Sequence, residues 1–238
     1  MSTPRHHVVI GSGVAGNQAA ETLRQRDPES RVTMITVSKL PFFNRYDLPR
    51  VFRGERDWRK FVIYPAEYYL DNRIALRRAT KVVNVDGTRQ TLTLEHNETV
   101  RFDTLLVASG ASAYMPAELA EYQPLMHAFG AFRDAVAAAD ALPKDGHVIL
   151  MGGDTIGLDL GRTLLDVGYR VTVVAEKHTF WPHEIAAEDR PRYIQALADM
   201  GFEVVDGHAR GEIAAVRAGA PGLSPRRVVF HDGSEIHG

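Results

Sequence analysis

The order of apolar and polar positions divides the chain into alternating strands and helices. Val8-Val9-Ile10 is a short β-branched run between the polar His6-His7 and Gly11, the form of a strand buried on both faces. Over residues 17–25 the period changes, and Ala19, Ala20 and Leu23 fall on one face of a helix. Residues 31–37 are again apolar and β-branched, so the opening segment reads as a β–α–β unit. A short helix is predicted over 64–72 and strands over 74–76, 81–85 and 91–94, with Asp86-Gly87 as a turn. Residues 101–110 form an apolar strand running into the small-residue turn Ala108-Ser109-Gly110. Residues 116–124 have the composition of a linker, and 129–142 that of an alanine-rich helix.

The pattern then repeats. A strand over 147–151 enters Gly152-Gly153-Asp154-Thr155-Ile156-Gly157, a helix over 158–167 stops at Gly168, and a strand follows over 170–175. The spacing matches that of the opening unit, so the chain carries two dinucleotide-type folds in tandem. A further helix is predicted over 187–200, strands over 202–205 and 227–230, and a small, polar hairpin loop over 209–225.

The chemistry enters at Gly11-Ser12-Gly13-Val14-Ala15-Gly16, a G-x-G-x-x-G turn between a strand and a helix. The first glycine permits the tight turn, the second lets the backbone approach a pyrophosphate, and the third lets helix and strand pack closely. The N–H groups and dipole of the helix start hold phosphate. The alternative is a glycine-rich turn with no ligand. An acidic residue commonly ends the second strand of such a unit and holds the ribose; here Thr36 or Ser38 stands there, giving a hydroxyl without charge. The loop over 40–55, rich in proline, aromatic and basic residues, reads as functional, or else as a surface loop with a small aromatic cluster.

Composition narrows the chemistry. The 238 residues carry a net charge of −2 and no cysteine. The near-neutral balance gives no reason to expect nucleic acid. No run is long and apolar enough for a membrane span, and the N-terminus lacks the layout of a signal peptide, so a cytoplasmic location is expected. Without cysteine there is no dithiol, thiolate nucleophile or cysteine-ligated metal centre, and redox chemistry needs a bound cofactor. His178 and His183 flank Trp181-Pro182, with Glu184 beside them; loop histidines are preferred there to a metal site.

VVIGSGVAG, the FFNRYDLPR loop, FDTLLVASGA, the second glycine turn and the closing VVFHDGSEI together resemble the FAD-dependent pyridine nucleotide oxidoreductases, in their rubredoxin and ferredoxin reductase-like branch. The resemblance covers nearly the whole chain. It implies an α/β fold of tandem Rossmann-like three-layer domains: an FAD domain with an NAD(P)-binding domain inserted into it, divided here into 1–115 and 116–238. It implies that Gly11, Ser12, Gly13, Val14, Ala15 and Gly16 take the FAD pyrophosphate. Thr36, Val37 and Ser38 then sit by the adenosine ribose, the Val82 backbone meets the adenine, and Lys81 counts among the cofactor-binding residues. Ala108, Ser109 and Gly110 close over the FAD, and Asn44 and Arg45 lie along the flavin side of the loop. Gly152, Gly153, Asp154, Thr155, Ile156 and Gly157, with Glu176, correspond to the NAD(P) site. Arg50 and Asp159 match a lysine–glutamate pair that stands beside the flavin in related reductases.

The chain departs from that pattern at three places. Tyr46 stands where thiol-dependent branches carry cysteine, which excludes their disulfide and sulfenate chemistry. Asp154 replaces the middle glycine of the second turn, and a carboxylate against phosphate costs on the order of 1 kcal/mol or more even in high dielectric. Ala175 stands where an NAD-preferring site has its acid; Glu176 could substitute, and Lys177 and His178 could meet a 2′-phosphate. The family's A-x-G-D segment, which returns to the FAD domain, is expected from a continuation of the chain or from a partner chain. The leading expectation is an FAD flavoprotein that passes electrons from NAD(P)H to a small carrier protein or a quinone-like acceptor. The competing one is a non-catalytic or electron-relay subunit with a degenerate nicotinamide site.

Overall fold

The computed structural model describes residues 4–113, 115–176, 179, 185–219 and 226–238. The chain divides into two compact units, Met1–Asn44 with Asp57–Ser112, and Arg45–Arg56 with Ala113–Gly238.

The first unit opens with β1 (His6–Ile10), α1 (Val14–Arg26) and β2 (Arg31–Ile35). A strand pair, β3 (Phe42–Phe43) with β4 (Val62–Tyr64), precedes α2 (Ala66–Asp71) and β5 (Ile74–Arg77). An antiparallel sheet follows, of β6 (Val82–Asp86), β7 (Thr91–Leu94) and β8 (Thr99–Arg101), and the chain re-enters the main sheet as β9 (Thr104–Val107). The main sheet is parallel, in the order β5-β2-β1-β9. The β-branched run of β1 is the reason this unit has three layers. Val9 packs with Ala20 of α1, Met34 and Tyr69. Val8, its neighbour on the opposite face, packs with Leu92, Leu94 and Phe102 of the antiparallel sheet side. A strand with apolar residues on both faces needs cover on both.

The second unit repeats the plan with α3 (Phe132–Ala141), β10 (His147–Met151), α4 (Thr155–Asp166), β11 (Arg170–Ala175), α5 (Arg190–Asp199) and β12 (Glu203–Asp206). The parallel sheet runs β10-β11-β12. Along β11 the side chains alternate: Val171 and Val173 pack with Leu160, Leu164 and Leu197 of the helices, and Val174 packs with Val216, Val228 and Phe230 of a second antiparallel sheet. That sheet is β13 (Ile213–Ala218), β14 (Arg226–Phe230) and β15 (Glu235–His237). The loop predicted over 209–225 is therefore corrected: it contains β13, whose Ile213, Ala215 and Val216 are buried. Its alanines kept the alternation from standing out. The linker-like 116–124 is in fact a 3₁₀ segment, Ala117–Leu125, that packs Leu119 against β13 and β14. The loop over 40–55 likewise contains a 3₁₀ segment, Arg45–Val51.

The repeat extends to a polar contact. His6 Nε2 meets Thr33 Oγ1 at 2.8 Å across β1 and β2, and His147 Nε2 meets Thr172 Oγ1 at 2.7 Å across β10 and β11. Burial first, then the charge of Arg31 or Arg170, holds both imidazoles below the ordinary value of 6.5. The folded protein thus favours both as neutral rings, while the unfolded chain takes up protons once the pH falls below that value. Their contribution to stability is present above it and is lost as the pH drops towards the lowered values. The thermal midpoint is expected to fall between about pH 7.5 and about pH 5.5, and less steeply in the double variant H6Q/H147Q. A thermal scan series across that range checks it.

Candidate functional site: two glycine turns

The first turn lies beyond the carboxyl ends of β1, β2 and β9, where ligands bind in open parallel sheets. Gly11 has φ +111°. Its N–H donates to the Ile35 carbonyl at 2.8 Å, and a Cβ there would run into the Ala108 carbonyl. Ala108 N–H in turn donates to the Ile10 carbonyl at 2.7 Å. The Ala108-Ser109-Gly110 turn is thereby held against the glycine turn.

Gly13 is the N-cap of α1. No side chain caps the helix, and its first turn holds no acidic residue. A Cβ on Gly13 would meet nothing within 4 Å, so the space above the helix start is open. Ser12 Oγ donates to Thr36 Oγ1 at 3.1 Å, and Ser38 N–H donates to the same oxygen at 3.2 Å. Thr80 N–H donates to the Thr36 carbonyl at 2.9 Å, which brings Lys81 and Val82 to the same edge. Val14, Val37 and Val107 are exposed around it. The structure thus gathers Gly11–Gly16, Thr36–Ser38, Lys81–Val82 and Ala108–Gly110 at one edge. Asn44 closes the first unit's loop, its N–H donating to the Phe61 carbonyl at 3.3 Å, and Arg45 opens the 3₁₀ segment of the second unit.

One element of this site escapes the motif reading. Asn17, buried in α1, donates through Nδ2 to the carbonyls of Ser12 at 2.8 Å and Gly13 at 2.9 Å. Its Oδ1 accepts from the Tyr69 hydroxyl at 2.7 Å. Burial pushes the Tyr69 phenol up to about 12, so it stays a donor. Tying the carbonyls of the turn back to the helix leaves the N–H groups at the helix start for a ligand. The available signal was a polar residue among Ala19, Ala20 and Leu23, directly after the last glycine.

The second turn has the same backbone and a different surface. Gly152 has φ +120°, and a Cβ on Gly157 would lie 2.8 Å from the Gly152 carbonyl. Asp154 has φ −69° and ψ 173°, close to the −79° and −171° of Gly13. Its Oδ1 accepts the Gly157 N–H at 2.7 Å, capping α4. Gly153 N–H donates to the Thr179 carbonyl at 2.7 Å. Thr155 and Ile156 are exposed, and Glu176 donates its N–H to Thr179 Oγ1 at 2.7 Å. Lys177, His178, His183 and Glu184 lie outside the described residues.

Arg50 and Asp159 stand on elements that pack together, the 3₁₀ segment and α4, yet the structure does not join them. Arg50 lies 3.7 Å from Asp47 within its own segment, and the Asp159 carboxylate makes no ion pair among the described residues. Arg53, two residues past the 3₁₀ segment, meets Asp166 at the end of α4 at 3.4 Å.

Residues 5–237 match the family model described as pyridine nucleotide-disulphide oxidoreductase, and the chain belongs to that family, which binds FAD and uses NAD(P)H. It is 27% identical over 169 residues to the ferredoxin–NAD(+) reductase component of 3-phenylpropionate/cinnamic acid dioxygenase from Photorhabdus laumondii, covering 71% of this chain and 43% of that one. It is 27% identical to the rubredoxin-NAD(+) reductase of Pseudomonas putida, covering 70% and 44%. The crystal structure of the ferredoxin reductase for the CYP199A2 system from Rhodopseudomonas palustris superposes with a TM-score of 0.77 at 22% identity, over 98% of this chain and 56% of that one, a likeness of fold. The chain spans about half the length of the curated relatives it matches. Among the described residues no helix is long and apolar enough to cross a membrane.

Asn17→Leu should cost about 2–4 kcal/mol, because it leaves the Ser12 carbonyl and the O–H of a buried phenol without their partner, while the Gly13 carbonyl keeps the backbone N–H of residue 17; Tyr69→Phe should cost about 1 kcal/mol. Urea unfolding of both variants checks the order.

Proposed function

We propose that the chain is the nucleotide-handling part of an FAD-dependent NAD(P)H oxidoreductase that delivers electrons to a small carrier protein or a quinone-like acceptor. The observation that carries this is the uncapped first turn with open space above Gly13, in a chain of this family. An uncapped helix start presents unpaired N–H groups and a positive dipole end. Here Val14, Ala15 and Gly16 would hold the FAD pyrophosphate. The Thr36 hydroxyl already accepts two hydrogen bonds, so it would donate to the ribose where an acid would accept. Lys81 and Val82 would border the adenine, and Ala108, Ser109 and Gly110 would close the site. Asn44 and Arg45 would border the flavin side.

When bound, the flavin supplies hydride acceptance and the release of single electrons. With no cysteine among the 238 residues, this chain adds no thiol redox centre. The Arg50 guanidinium would stabilise negative charge on the reduced ring. Its carboxylate neighbour is Asp47 at 3.7 Å, and Asp159 keeps only the weaker role of a nearby acidic helix residue. NAD(P)H would meet the second turn, with Glu176 near its adenosine end. The reading in which the chain is an electron-relay subunit draws on one observation, the carboxylate capping α4.

The visible spectrum of the purified protein, before and after anaerobic NADH and then NADPH, tests the proposal: flavin bands that bleach with one nucleotide are expected, and flavin bands that neither bleaches would favour the relay. Gly13→Asp is tolerated by the backbone at φ −79° and meets no neighbour. It should leave the thermal midpoint of the flavin-free protein within a few degrees, yet weaken FAD binding at least about tenfold, read by flavin fluorescence. Arg50→Ala should slow flavin reduction about tenfold or more in stopped-flow traces without changing FAD content.

A further inference from the structure

The two turns form a matched pair within one molecule. Each begins with a glycine at positive φ, +111° in Gly11 and +120° in Gly152. Each ends with a glycine whose Cβ would strike the carbonyl of that first glycine. The middle residues, Gly13 and Asp154, share one backbone conformation. They differ in what fills the space above the helix start. Over α1 that space is open. Over α4 it holds the Asp154 carboxylate, which takes the Gly157 N–H at 2.7 Å. A second N–H of the turn, that of Gly153, is taken by the buried Thr179 at 2.7 Å.

We propose that Asp154 is a resident stand-in for nucleotide phosphate: a dinucleotide binds the second unit only by displacing this carboxylate from α4, so Asp154 sets the unit's nucleotide affinity. This rests on reading the second turn as the NAD(P)H site. A carboxylate and a phosphate compete for the same donors and the same helix dipole. Both cannot hold the Gly157 N–H at once, and each is negative, so they repel at that helix start. The cap also stabilises the free form of the protein, since Asp is among the strongest N-caps. Stability without nucleotide and affinity for nucleotide are therefore opposed at this residue. This opposition separates a stand-in from an ordinary site residue, whose removal lowers affinity.

The test compares the flavin-loaded wild-type protein with Asp154→Gly and Asp154→Asn by calorimetric titration with NADH and with NADPH, alongside thermal unfolding without nucleotide. Asp154→Gly is expected to bind at least one of the two nucleotides about tenfold or more tightly while its thermal midpoint falls. Asp154→Asn retains a good cap without the charge. Its midpoint is expected to stay near wild type, and its affinity to lie between the other two, so the test survives an Asp154→Gly that folds poorly. Equal or weaker binding by both variants, or no binding by any form, would overturn the proposal. Flavin content and bleaching report on the first unit and on catalysis separately, so failure of the oxidoreductase reading would show there while the titration still reads Asp154.

Discussion

A helix begins with N–H groups that lack partners inside it, and what satisfies those groups decides what each half of this molecule can hold. At α1 the N-cap is glycine, the first turn has no acid, and among the described residues no side chain caps the helix. At α4 the chain supplies the partner itself through Asp154. The rest of the first site exists to keep α1 in that unsatisfied state. Gly11 must lie against Ala108 to bring the turn of β9 alongside, and Asn17 must bind the Ser12 and Gly13 carbonyls so that they do not turn towards the ligand side.

Burial makes such a site sustainable. The edge of a parallel sheet is a rigid frame only if the sheet is covered on both faces, and in each unit one strand shows how that is done. Val8 and Val9 in β1, and Val173 and Val174 in β11, point to opposite sides into separate apolar clusters. Each pair anchors a helical layer and an antiparallel layer to the same strand.

Much of this could be read from residue order. The β-branched run at Val8-Val9-Ile10, the glycine spacing and its return at Gly152–Gly157 depend on local periodicity, which a sequence displays directly. What escaped reading depends on long-range closure. Asn17 meets Tyr69 across 52 positions, a pairing that no local pattern announces. Strand β13 hides in a run of alanines because its burial is decided by Val228 and Phe230, which follow later in the chain. Asp154 was legible as bulk and charge in a phosphate turn. Its inward hydrogen bond to Gly157 was not, because capping depends on the ψ of 173° at that residue. The pairing of Arg50 with Asp159 was drawn from family resemblance, and it gave way to Asp47 because a neighbour three positions along the same 3₁₀ segment lies within reach.

The Asn17–Tyr69 bond has a consequence for cooperativity. Tyr69 sits in α2, edge-on to Tyr68 at 5.5 Å, and Tyr68 stacks on Tyr64 at 4.1 Å. A ligand that steadies the glycine turn therefore also steadies α2 and the aromatic rings behind it. Opening of that helix and loosening of the turn become one event rather than two. Slowed amide exchange in Ala66–Asp71 would then report occupancy of a site that lies some fifty residues earlier in the chain.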